Sequence, residues 1–239
     1  MKIVINSHVK YSKARQVLFE SLNKIGFTDK RDIIVVYSGS ENDIEPYICD
    51  NGYVIIESKL NNFDYNAYHM LYIYKDHSLI KDNFYLYLHD TITFDKSFND
   101  TYHKIKKILL NITSDTIFIP KSFHSNICLF GNKVIDEYKD NFSLPLDKTE
   151  AIYLELHSSY VKNNKTIYNI GNYGSKYLIA DRVEIDYPID SLNGIDIYNN
   201  GNPRRGFYYP FFSIYKWILW GKNGDFTESK IKDNNCWWS

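Results

Sequence analysis

Cysteine is scarce in this 239-residue chain: there are 3, Cys49, Cys128 and Cys236, far apart and with no CxxC pair. An odd, scattered set builds neither a disulfide framework nor a zinc–thiolate site. Long apolar runs are missing as well. No stretch approaches the roughly 18 residues of a membrane span, and Met1-Lys2-Ile3-Val4-Ile5-Asn6 is too short an apolar run for a signal peptide, so the expectation is a cytoplasmic chain without a membrane span. Nor does charge of one sign dominate: 28 Lys and Arg face 29 Asp and Glu, for a formal net charge of -1. That balance argues against a general binder of phosphate backbones, and no nucleic-acid partner is expected. Internal repeats and flexible linkers are absent too.

What is present is an ordinary globular composition, 44% hydrophobic and 24% charged, which excludes a disordered chain. A chain of this length buries roughly 70–75% of its unfolded surface and needs no staples. Aromatics stand out at 17%, with 22 Tyr, 14 Phe and 4 Trp. Tyrosine joins a flat apolar face to a polar tip, which serves half-buried packing as well as stacking on bases or sugars.

The first third alternates strand and helix patterns. Lys2–Ile5 is a short β-branched run ending in polar Asn6-Ser7-His8. Ser12 is placed to cap a helix to about Ile25, with Ala14, Val17, Leu18, Leu22 and Ile25 at helical spacing and Gly26 as its stop. Ile33–Tyr37, closed by Ser38-Gly39-Ser40, and Tyr53–Ile56 read as strands buried on both faces. Asp64 is placed to cap a helix carrying Ala67, Met70, Leu71 and Tyr74. Phe84–Leu88 follows as a central strand and runs into His89-Asp90-Thr91. Strands spaced by helices predict βαβ units and a mostly parallel sheet flanked by helices. Further on, helices are expected over Tyr102–Leu110, around Lys133–Lys139 and around Glu150–Val161, with a strand at Thr116–Ile119. From Asn163 onward, loops and short strands are expected up to the apolar segment Phe211–Trp220. A single domain fits, regular over residues 1–95 and irregular and aromatic-rich over 96–239.

In open α/β sheets, ligands collect beyond the carboxyl ends of the strands. The strand ends Asn6-Ser7-His8, Ser38-Gly39, Glu57-Ser58 and His89-Asp90-Thr91 are therefore where chemistry is expected. The last carries the strongest signal, because a carboxylate at the sheet rim can hold a divalent cation against a diphosphate. The order of Lys2–Asn6, the helix, Ile33–Ser38, Tyr53–Glu57, Asn62-Phe63-Asp64-Tyr65-Asn66-Ala67 and Tyr85–Thr91 resembles the nucleotide-sugar half of a GT-A-type glycosyltransferase. The resemblance covers roughly the first 95 residues and the rest only loosely. It implies a Rossmann-like GT-A domain, a nucleotide-diphosphate sugar donor of the UDP-linked kind, and a glycan or other hydroxyl acceptor. It also implies Mn²⁺ or Mg²⁺ at a DxD-like motif, a role it assigns to Asp90. A full DxD would carry two acids, where this chain has His89, Asp90 and Thr91. His89 is the candidate to complete the shell, since imidazole also suits Mn²⁺. Loss of the second acid equally suits a metal-independent or inactive relative.

Other positions carry two readings each. Asn6, Ser7 and His8 either line the base and ribose pocket or form a turn before the Ser12 helix. Tyr65 and Asn66 are donor-contact candidates, while Asp64 is read as an N-cap. Ser38 joins the nucleotide side at its strand end, and Glu57 either orients a ligand or ends its strand. Ser122–Asn126 corresponds in position to a family segment under the donor sugar, with a poor residue match. Glu150 is placed for a general base toward the acceptor, or for a first-turn acid favoured by the helix dipole. His157, on the same expected helix, is read as structural. Arg204, Arg205 and Lys216 are cations suited to a departing diphosphate, with Arg204-Arg205-Gly206 expected as a turn; a solvated pair is the rival. Trp217, Trp220, Trp237 and Trp238 are candidates to stack on an acceptor sugar; Trp217 and Trp220 are also spaced for one packed helix face, and Trp237-Trp238 suggest an interface or an acceptor platform.

Three functions compete on these residues. One is metal-assisted sugar transfer from a nucleotide-diphosphate sugar. A sugar nucleotidyltransferase would want a glycine- and lysine-rich loop after the first strand, and Asn6–Lys13 contains no glycine. A non-catalytic carbohydrate-binding protein would use the aromatics and need neither nucleotide nor metal.

Overall fold

The computed structural model describes residues 1–62, 65–114, 117–119, 127–142, 167–169, 183–186, 205–209 and 211–217. In chain order the strands are β1 (Lys2–His8), β2 (Ile33–Ser38), β3 (Ile44–Ile48), β4 (Val54–Ser58), β5 (Phe84–His89) and β6 (Ile92–Phe94), then β7 (Ile117–Ile119), β8 (Ile127–Gly131), β9 (Ile167–Asn169), β10 (Val183–Asp186), β11 (Arg205–Tyr209) and β12 (Ile214–Trp217). The helices are α1 (Ser12–Lys24), α2 (Asn66–Ile73), α3 (Phe98–Leu109) and α4 (Asn132–Phe142). The chain packs as two compact units, one of Met1–Val9, Thr28–His89 and Lys106–Leu178, the other of Lys10–Phe27, Asp90–Ile105 and Ile179–Ser239.

The first unit is an α/β layer. Its sheet runs β3-β4-β2-β1-β5-β8-β7-β9. The heart of the sheet, β4-β2-β1-β5, is parallel, while β3 and β8 flank it antiparallel. Alternation along a strand sends every second side chain to one face. Val4, Ile34, Val36, Val54, Ile56, Tyr85 and Tyr87 thus share a face, and they pack with Ala67, Met70 and Leu71 of α2 and Val134 and Ile135 of α4. Residues of the opposite face, Ile3, Ile5, Ile33, Val35, Leu86 and Leu88, are buried as well. Burial on both sides is why these strands read as unbroken apolar runs. Each such aliphatic side chain contributes about 1.5–3 kcal/mol by leaving water. At the end of β8, Gly131 has the Ser114 carbonyl oxygen only 1.9 Å from where a Cβ would stand.

The second unit holds an antiparallel sheet in the order β10-β11-β12-β6. Phe94 donates its backbone N–H to Ser21 Oγ of α1 at 3.2 Å. Phe98 of α3 packs on Phe94 at 4.4 Å between ring centroids, and Phe27 meets Phe98 and Tyr102 at 5.7 and 5.3 Å.

Several expectations are corrected. Asn6, Ser7 and His8 are not a turn but the last residues of β1, because pairing with β2 and β5 continues through them. Ser12 is the first residue of α1 rather than its cap; the N-cap position is Tyr11, and no side chain caps it. The connection from β2 to β4 holds a strand where the sequence assigned no element. The antiparallel edge strand β3, with Pro46 at its centre, takes that place. Helix α3 begins four residues before the expected Tyr102. Arg205-Gly206 is strand β11, not a turn, and Trp217 ends strand β12, not a helix face. In both cases antiparallel pairing of an aromatic run overrides the local turn and helix spacing.

Candidate functional site

In the first unit, the carboxyl ends of the parallel strands form a rim of buried polar groups. The register sets His8 beside Ser38, Ser38 beside Ser58, and Asn6 beside His89. Asn6, Ser7, Ser38, Ser58, Asn62, Asn66 and His89 are all buried. Asn6, Ser7, Ser38, Ser58 and His89 lie at the strand ends themselves, and buried polar groups cost stability unless they are paired.

Some of these groups hold the rim together. Ser38 Oγ donates to the Ser7 carbonyl at 3.0 Å, so Ser38, expected on the nucleotide side, ties β2 to β1. Val9 N–H donates to the Ser38 carbonyl at 3.1 Å, and Ser40 N–H to the Ser58 carbonyl at 3.0 Å. Glu57 is taken up by the Tyr47 hydroxyl at 2.9 Å, a cross-strand bond on the exposed side. Behind Ser38, Gly39 adopts φ +73 and lies directly beside the His8 imidazole.

Asn66 is different. It is the first residue of α2 and 0% exposed, and neither its Nδ2 nor its Oδ1 has a hydrogen-bond partner among the described residues. The Ser40 hydroxyl shares that condition. Tyr65, the N-cap position of α2, is buried beside Asn66, with its ring 6.3 Å from Tyr68. One turn on, burial lowers the His69 imidazole below its ordinary pKa, against an opposing pull from Asp43.

His89 closes β5 at 4% exposure, and Asp90 follows it in the chain at 6%. Nε2 of His89 lies 3.3 Å from the Tyr87 hydroxyl. Among the described residues, no three His, Cys, Asp or Glu side chains gather as a ready-made metal cage. A cation bridging protein to diphosphate asks for less, one or two protein donors with phosphate oxygens completing the shell. The donor types at His89 and Asp90 fit that smaller demand.

The second unit carries a polar cluster with no signature in the sequence. Asp95 Oδ1 accepts from the Ser97 hydroxyl at 2.6 Å and from Ser97 N–H at 3.0 Å, and Oδ2 accepts from the Tyr215 hydroxyl at 3.2 Å. Burial would raise this carboxyl, but the hydrogen bonds from Ser97, Tyr215 and the Lys96 backbone outweigh it and hold Asp95 below its ordinary range. Burial and the Asp95 charge push Tyr215 up to about 12. Ser213 adopts φ 52, rare for a residue with a side chain, and is held there by Thr101 Oγ1 at 2.7 Å and Ser97 Oγ at 3.0 Å. Arg205 stands opposite Asp186 in the β10–β11 register, and Lys216 opposite Phe207 and Ile92. Arg204, Glu150, His157, Phe63, Asp64, Ser122–Asn126, Trp220 and Trp237-Trp238 lie outside the described residues.

No protein-family model matches the sequence, and no curated protein matches it. The fold is similar to those of solved glycosyltransferase structures, these three among them. The first is a glycosyltransferase involved in the glycosylation of the major capsid of PBCV-1, at 11% identity and TM-score 0.41, over 73% of this chain and 85% of that one. The second is S. aureus TarS 1-349, at 14% identity and TM-score 0.42, over 72% of this chain and 58% of that one. The third is GlyE of Streptococcus pneumoniae TIGR4, at 13% identity and TM-score 0.38, over 70% of this chain and 44% of that one.

Proposed function

We propose that this chain is a glycosyltransferase that takes a nucleotide-diphosphate sugar, of the UDP-linked kind, and moves the sugar to a hydroxyl acceptor on a glycan or similar molecule. One observation carries the reading: a wholly buried amide, Asn66, has both hydrogen-bonding atoms without a partner among the described residues, in the unit whose strand ends hold Asn6, Ser7 and His89. An unsatisfied buried polar group costs about 1–3 kcal/mol, and a ligand that supplies its partners removes that cost. An amide offers one acceptor and one donor side by side, which suits the polar edge of a base or the hydroxyls of a ribose or sugar.

The divalent cation, Mn²⁺ or Mg²⁺, enters the proposal through electrostatics. A buried carboxylate at Asp90 and a diphosphate repel one another, so the two are compatible when a cation lies between them. Asp90 and His89 are the residues that would hold it, and bound there it would neutralise the charge that builds on the leaving diphosphate. The polar rim itself orients the nucleotide and keeps water from the groups it covers.

Calorimetry with UDP, with and without Mn²⁺, tests the reading directly. The expected result is UDP binding that strengthens with Mn²⁺ in the native protein and loses that dependence in Asp90→Ala. Metal-dependent hydrolysis of nucleotide sugars should fall in the same variant. Equal turnover by both proteins overturns the metal assignment. Binding of free sugars with no UDP affinity at all would instead favour a non-catalytic carbohydrate-binding protein.

A further inference from the structure

Tyr87 and His89 stand two apart on β5, so their side chains leave the same face of the strand. The Tyr87 hydroxyl lies 3.3 Å from His89 Nε2, and the two ring planes meet at 75°. Tyr87 is itself immobilised. Its ring stacks on Tyr68 at 4.4 Å and 16°, Tyr68 leans on Phe130 at 5.2 Å, and the Tyr68 hydroxyl lies 3.0 Å from Cys128 Sγ. Tyr87 is 0% exposed, Cys128 1%, Tyr68 3% and His89 4%, so the whole column is closed to water. The column reaches from the middle of the sheet to its rim.

A neutral imidazole has two tautomers, and which nitrogen carries the proton is set by the hydrogen bond the ring makes behind it. A group that fixes a ligating or binding imidazole in this way matters nearly as much as the imidazole. We propose that Tyr87 is a positioning residue of the candidate site: accepting from Nε2–H, its hydroxyl fixes the ring orientation of His89 and favours the neutral tautomer whose lone pair sits on Nδ1, with Tyr68 as its backstop. This rests on reading His89 as a group of the donor site. In the sequence Tyr87 is one aromatic in an apolar strand, and only the fold shows what its hydroxyl meets.

The test is Tyr87→Phe, which keeps the ring and its stack on Tyr68 and removes only the hydroxyl. Imidazole ¹⁵N shifts of His89 at a pH where the ring is neutral should show one pyrrole-like and one pyridine-like nitrogen in the native protein. In Tyr87→Phe both should move toward the average of the two tautomers. Affinity for UDP with Mn²⁺ should fall by about 10- to 100-fold, as for other partners behind a ligating imidazole. Tyr68→Phe, which retains the Tyr87 hydroxyl, should leave the His89 shifts in place. Unchanged His89 shifts in Tyr87→Phe overturn the proposal, as do shifts in Tyr68→Phe as large as those in Tyr87→Phe. His89→Ala separates this proposal from the reading beneath it. If that variant loses UDP·Mn²⁺ binding while Tyr87→Phe keeps it, the positioning role fails alone; if His89→Ala binds normally, the donor-site role of His89 fails first.

Discussion

Gly39 and His8 fit together by the absence of a single carbon: a Cβ on Gly39 would stand 2.7 Å from Nε2 of the His8 ring. The glycine also adopts φ +73, where a side chain is strained even in open space. Gly39→Ala should therefore lower stability by about 1–2 kcal/mol from backbone strain alone. It should also displace the His8 ring from the rim. Urea denaturation and UDP calorimetry on the same variant check both effects, and a variant unchanged in both contradicts the contact.

Asn66 yields a prediction of opposite sign. With both amide atoms lacking partners among the described residues, replacing the side chain by an apolar one of similar size removes a desolvation cost. Asn66→Leu should be neutral or more stable by about 1 kcal/mol in the ligand-free protein, while losing affinity for UDP. A variant destabilised without any change in binding would show Asn66 to be a structural residue.

Gly131 predicts a steric failure. Its would-be Cβ falls 1.9 Å from the Ser114 carbonyl oxygen, a backbone atom that cannot swing aside. Gly131→Ala should cost about 3 kcal/mol or more, since neither β8 nor the 114 segment can yield without losing hydrogen bonds. A melting temperature equal to that of the native protein would refute the packing at this point.

Asp95 predicts loss of stability in acid. Its folded pKa is depressed, so the native state favours the ionised form more than the unfolded chain does. Its contribution is in place above the unfolded value of 3.8 and disappears as pH falls through the lower folded value. Asp95→Asn should flatten this part of the acid titration of stability and, at neutral pH, cost about 1–3 kcal/mol through the weakened Ser97 and Tyr215 hydrogen bonds.

Alkaline pH acts through the tyrosines. Tyr215 and Tyr85 are raised to about 12, burial being the first cause in each. The native state keeps these protons when the unfolded chain releases them, so their contribution is whole below pH 10 and is lost as pH rises toward 12. Unfolding followed by tyrosinate absorbance should show midpoints falling across that window. Tyr215→Phe should reduce the slope.

The parallel strands were legible because burial on both faces leaves a continuous apolar run, as in Ile33–Val36 and Phe84–Leu88. Their polar ends were legible too, since Asn6-Ser7-His8 and His89-Asp90 break those runs abruptly. Strand β3 was hidden: in Ile44-Glu45-Pro46-Tyr47-Ile48 the one buried position is the proline itself, so no alternation marks a strand and the proline argues against one. The tie between Asp95 and Tyr215 spans 120 residues, beyond any local pattern. The state of Asn66 was likewise out of reach, because whether a buried amide is paired depends on which atoms the fold brings beside it. Arg205 was misplaced for a related reason: Arg-Arg-Gly reads as a turn until the aromatic run after it is seen pairing with β12.

Strand β3 ends the order of the described strands in its sheet, and it carries Ile44, Tyr47 and Ile48 partly open to water. An outermost strand is ordinarily an invitation to fibril growth, since each newcomer finds amide groups waiting. Pro46 brings no amide hydrogen, and the broken register between Ile44 and Tyr47 spoils the even spacing a second molecule would need. Ile44–Ile48 is therefore a poor template for another strand, because both its hydrogen-bond donors and its spacing are interrupted at the centre.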